Sequence, residues 1–167
     1  MVQMKRLFAT WRASGQRLGL PFFAVLRAEA CLCADDRVGA EAAIGAGLEH
    51  AHATGEHRQD SDLHRLRAGC LQRAGRIDEA AAALDAALDI AADQGARLAE
   101  LRAAIDRVRI DWSTSSSAEA AARLVTVAAS FDNGASVPEL SVASALRRIH
   151  SNGAADRRDF WSQSAPN

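Results

Sequence analysis

His50, His52, His57 and His64 gather near the middle of the chain, and with Cys33 or Cys70 they offer the donors of a zinc site. Their spacing argues against one. His50 and His52 stand two apart, which sends them to different faces of a helix. His57 lies beyond Gly55, across an expected turn, and no pair falls four apart as in HExxH. Solvated or capping histidines are therefore expected, with no metal and no cofactor. Cys31-Leu32-Cys33 is not a CxxC motif, and Cys31 suits a small buried apolar position. Ser113 to Ser117 brings hydroxyls together, but GxSxG is absent, and Ser116 with Glu119 reads as a capping box. Lys5 is the only lysine and no glycine precedes it, which excludes the phosphate-binding GxxxxGK[ST] loop. The residues spell out no reaction, and the expectation is a chain that is not an enzyme.

The elements that would position any site speak more clearly. A length of 167 residues fits one domain. Hydrophobic residues make up 49% and charged residues 25%, as in an ordinary globular protein. Alanine, the best helix former, is abundant, while tyrosine is absent and aromatics reach only 5%. The composition predicts an all-α fold. A net charge of −1 gives no electrostatic footprint for nucleic acid or an anionic membrane. Three cysteines, an odd count, suit a reduced and cytoplasmic setting. The longest apolar stretch, Leu18 to Leu26, contains Gly19 and Pro21 and is too short to span a bilayer.

Laid against itself at an offset of 40, the chain repeats. Met4, Ile44, Leu84 and Leu124 share one column; Phe8, Leu48, Leu88 and Ala128 share a second. Trp11, Ala51, Ala91 and Phe131 form a third, Ala40, Ala80 and Ala120 open the segment, and Gly15, Gly55 and Gly95 close it. Spacings of 4, 4 and 3 set these columns on one helical face, and the glycine fits the left-handed position where helices stop. A preceding helix repeats as well: Phe23, Leu26, Ala30 and Cys31 match Leu63, Leu66, Cys70 and Leu71. In the next unit the register slips by two, to Leu101, Ala104 and Val108. Pro138 opens one more helix, roughly 138–150. Helices with such narrow faces must stack on their neighbours, which predicts an α-α superhelix, a solenoid of about four units. A repeat domain over 1–151 is expected, followed by a disordered tail over 152–167. Because Met1 starts on the second helix of a unit, the domain begins mid-repeat and reads as the C-terminal piece of a longer protein. A homodimer through the N-terminal helix is the alternative way to cover that edge.

Gly75-Arg76-Ile77-Asp78-Glu79-Ala80, continuing through Leu84, Ala87 and Leu88, resembles the second half of a tetratricopeptide repeat. Ala68, Leu71 and Gly75 suit that motif's first helix, while His64 and Ala92 depart from it. Thr54-Gly55-Glu56-His57, Leu63-His64-Arg65-Leu66-Arg67, Gln94-Gly95-Ala96-Arg97 and Glu100-Leu101-Arg102-Ala103-Ala104 extend the likeness. With Gly19-Leu20-Pro21-Phe22-Phe23 and Phe131-Asp132, most of 15–150 resembles the tetratricopeptide-like C-terminal helical-repeat region of large bacterial signalling ATPases. These include the predicted ATPases associated with adenylyl/guanylyl cyclase domains and the LuxR-type regulators. The resemblance implies a non-catalytic scaffold for protein–protein interaction or regulation, binding a protein or peptide. An upstream ATPase or cyclase domain is the implied partner, and nucleic acid and membrane are not. It also implies a groove along the first helices of the units, with Glu29, Arg65, Gln72, Arg73 and Arg107 facing a ligand. Arg65, Arg73 and Arg107 would hold an acidic peptide by bidentate contacts. Two alternatives stand beside this reading: a regulatory fragment of an ATP-binding or cyclase protein, and a self-association module.

Overall fold

A computed structural model describes residues 19–111, 117–131 and 137–152, and among these every regular element is helical. The seven α-helices are α1 (Leu20–Cys33), α2 (Arg37–Thr54), α3 (Asp60–Arg73), α4 (Ile77–Asp93), α5 (Arg97–Asp111), α6 (Ser117–Ala129) and α7 (Pro138–Asn152). A 3-10 turn, His57–Gln59, leads into α3. The expected helix of 1–15, Ser116 of the capping box and the tail beyond Asn152 lie outside the described residues.

Local chemistry sets the helix ends. Pro21 occupies the first turn of α1, where its missing N–H costs nothing. The Asp36 carboxylate accepts a 2.8 Å hydrogen bond from the Gly39 amide and caps α2. Gly55 at φ 75° and Gly95 at φ 63° close successive second helices, 40 residues apart. Asp35 at φ 54° and Gly75 at φ 73° hold the matching place in the turns after α1 and α3. The turn therefore repeats even where its glycine does not, and Asp35 takes the left-handed conformation that aspartate tolerates better than most residues.

Packing follows the columns. Ile44, Leu84 and Leu124 are buried, as are Ala40, Ala80 and Ala120 at the start of each second helix. Each helix packs on the next in sequence, and α1, α3, α5 and α7 also pack on one another in that order. Small residues let the backbones close in: a Cβ added to Gly47 would stand 2.7 Å from the Ala24 Cβ. The Ser61 hydroxyl, buried between α3 and α4, donates to the Ala87 carbonyl at 2.9 Å, which satisfies the buried hydroxyl. Leu63, Leu84, Leu88, Leu101 and Leu146 are fully buried. Each contributes roughly 1.5–3 kcal/mol by leaving water, largely offset by the entropy of ordering the chain.

Polar contacts tie one edge of the stack. The Glu56 carboxylate accepts from the Gly19 amide at 2.8 Å, placing negative charge at the N-terminus of α1. Gln94 Nε2 donates to the His57 carbonyl at 2.8 Å, and an Arg97 guanidinium N–H donates to the Ser130 carbonyl at 2.8 Å. At the start of α7, Arg102 donates to Glu139 at 2.7 Å, and that hydrogen bond holds the Glu139 carboxyl below its ordinary value.

The turns after α1 and α3 respond oppositely to substitution. A Cβ at Gly75 meets nothing within 4 Å, so Gly75→Ala pays only a conformational cost. Urea unfolding is expected to record a loss of about 1–2 kcal/mol for it, and a gain of up to about 1 kcal/mol for Asp35→Gly.

Candidate ligand groove

The C-terminal halves of α1, α3 and α5 lie side by side around a groove of about 870 Å³. Leu32, Leu66, Ala68 and Ile110 give it apolar walls, and Gly69 leaves its middle open. A Cβ at Gly69 would stand 3.5 Å from an Arg73 guanidinium nitrogen and 3.8 Å from Leu32 Cδ1. Glu29, Arg65, Gln72 and Arg73 all line this groove, so four of the five residues named from sequence come together.

Arg65 is already engaged. Its guanidinium reaches Glu29 of α1 at 3.1 Å, Asp62 of α3 at 3.5 Å and Asp106 of α5 at 3.3 Å. Asp106 in turn accepts from Arg109 at 3.1 Å. Burial disfavours the Arg65 charge, but Asp106, Asp62 and Glu29 outweigh it, and the pKa is raised. With only 16% of its side chain exposed, Arg65 is a bracket across three helices and has little charge left for a ligand carboxylate. Arg73 differs: it is exposed, donates to the Gly69 carbonyl at 3.3 Å, and pairs with no carboxylate among the described residues. Arg73 is the cation that the groove offers outward.

Arg107 lies elsewhere. It donates to Asp85 of α4 at 2.8 Å and lines a separate hollow of about 210 Å³ with Leu88, Ala104, Glu119 and Arg123. The reason is the wider buried arc of α5. Leu101, Ala103, Ala104, Ile105 and Val108 are all buried, because α4, α6 and α7 cover this helix together. That leaves the arc of Asp106, Arg109 and Ile110 for the groove. Sequence reasoning missed those three, although the Asp106–Arg109 spacing of three on one helix was a usable sign of a paired, partly exposed face.

The remaining candidates for chemistry stay apart. His57 Nδ1 sits 2.8 Å from Asp60, His50 lies 3.9 Å from Glu56, and no group of three or more potential metal ligands occurs among the described residues. Cys31 and Cys70 are buried, whereas Cys33 is exposed on the groove wall. Burial, with Glu41 nearby, pushes the Cys70 thiol up, so it stays protonated. His64 is half-buried in α3, and burial followed by the Arg67 charge lowers its pKa below the ordinary 6.5.

Two measurements follow from these environments. His64 is harder to protonate folded than unfolded, so its contribution is present above pH 6.5 and lost as pH falls through the lowered value. His64→Gln is expected to flatten the fall in stability on acidification below pH 6.5 relative to the parent chain, read by urea unfolding across pH. A thiol-reactive chromophore is expected to modify Cys33 rapidly in the native chain, and all three cysteines only after unfolding. Among the described residues no helix is long and apolar enough to cross a membrane. Comparison with protein-family models, curated proteins and solved structures finds no match to this chain.

Proposed function

We propose that the chain is a non-catalytic scaffold, a tetratricopeptide-like α-solenoid with units of about 40 residues, that holds a segment of a partner protein along α1, α3 and α5. One observation carries this reading: three helices, each the first of its unit, contribute to a single groove of about 870 Å³. That volume lies within the range of sites that enclose a ligand of several residues' bulk. Leu32, Leu66 and Ile110 suit apolar side chains, and Arg73 at the rim suits a carboxylate. Glu29 and Asp106 would otherwise repel an acidic segment, but Arg65 and Arg109 offset most of that charge. The fitting ligand is thus an apolar segment with an acidic residue at one side. A neighbouring ATPase or cyclase domain is the partner that the likeness to signalling ATPases favours, with binding here biasing that domain.

Fluorescence anisotropy with a labelled peptide that alternates leucine and aspartate tests the groove. Binding is expected to weaken about tenfold or more in Arg73→Glu and to stay unchanged in Arg107→Ala, whose side chain points into the other hollow. Equal weakening in both variants, or none in Arg73→Glu, would rule this groove out.

A further inference from the structure

Inside the described helices lie Gly39, Gly45 and Gly47 of α2 and Gly69 of α3. A glycine in a helix interior is less favourable than alanine, so each of these positions needs a reason. Packing supplies it for two of them. A Cβ on Gly39 would stand 2.2 Å from the Asp36 carboxylate that caps α2. One on Gly47 would stand 2.7 Å from the Ala24 Cβ. Gly45 is exposed, and a Cβ there meets nothing within 4 Å.

Gly69 belongs to neither kind. The atoms nearest to an added Cβ are an Arg73 guanidinium nitrogen at 3.5 Å and Leu32 Cδ1 at 3.8 Å. Both are ordinary contact distances, and both atoms end flexible side chains. The fold therefore has room for alanine. A ligand would not. A methyl group on Gly69 would touch the apolar wall of α1 on one side and the exposed cation on the other, filling the space between them. Arg65 and Leu66 lie one turn before Gly69, Gln72 and Arg73 one turn after, and all four line the groove. Gly69 thus leaves bare backbone where the apolar and charged parts of the groove meet.

We propose that Gly69 is the size-selecting position of the groove. A side chain of the bound segment as large as leucine rests on its bare Cα, between Leu32 and Arg73. This deepens the reading of the groove as a ligand site and rests on it. Arg73 leans back over the same spot, donating to the Gly69 carbonyl at 3.3 Å, and pairs with no carboxylate among the described residues. A carboxylate of the ligand that pairs with Arg73 is thereby held beside the seated side chain. A smaller ligand residue leaves the space empty, and a side chain on the protein at this position takes the space from the ligand.

Fluorescence anisotropy with the labelled leucine–aspartate peptide tests this, with an alanine–aspartate peptide of equal length beside it. The parent chain is expected to prefer the leucine peptide by about tenfold or more. Gly69→Leu is expected to weaken that peptide about tenfold or more, Gly69→Ala to weaken it less, and Gly45→Leu to leave it unchanged. Urea unfolding separates a filled subsite from a damaged fold, because Gly69→Ala is expected to unfold at a higher urea concentration than the parent. A lower midpoint overturns the proposal by showing that the fold itself needs the glycine. Equal affinity of the parent for both peptides overturns it, as does equal loss in Gly69→Leu and Gly45→Leu. Parent-like binding by Gly69→Leu overturns it and leaves the groove standing where Arg73→Glu still weakens binding. If Arg73→Glu also binds as the parent does, the groove falls with it.

Discussion

Close approach of helix backbones through alanine and glycine is the constraint on which the rest of this structure depends. Ala28, Ala40, Ala80, Ala87, Ala91 and Ala103 are all but completely buried, and Gly47 leaves no room even for a methyl group beside Ala24. Such residues contribute little area each, so the leucines between them supply most of the hydrophobic stabilisation. The small residues supply geometry instead. They fix how near each helix lies to the next, and so how far apart the alternate helices α1, α3 and α5 stand.

That separation makes the groove and the Arg65 bracket possible. One guanidinium reaches carboxylates on α1, α3 and α5, which requires those three helices to pass close to one another. A largely buried arginine without partners would be costly, and three carboxylates without it would repel one another. Together they tie the floor of the groove across three helices, and the arginines divide the labour. Arg65 holds the helices, Arg73 faces outward, and Arg107 secures the opposite side through Asp85.

The helices were legible in the sequence because their signals are local. Columns such as Ile44, Leu84 and Leu124 need only a helical period to be seen, and Gly55 and Gly95 mark their own stops. Asp35-Asp36-Arg37 reads as a polar connection between helices, but the left-handed conformation of Asp35 was hidden by its residue type, although its place 40 residues before Gly75 pointed to it. Glu29, Arg65, Gln72 and Arg73, named by analogy along α1 and α3, line one groove. Arg107 lines another hollow, because the rotation of α5 depends on how many neighbours cover it, and that is a property of the whole stack. For the same reason nothing in the run around Arg65 revealed that its partners lie 36 residues before and 41 after.

The most direct measurement is the unfolding free energy of Ala87→Leu. Ala87 is fully buried where α4 meets α5, and its carbonyl receives the Ser61 hydroxyl. If small side chains set the helix spacing, the larger residue has nowhere to go, and stability falls by about 1–3 kcal/mol or more. A loose interface would instead bury the added leucine atoms and gain. Unchanged or increased stability would contradict the account.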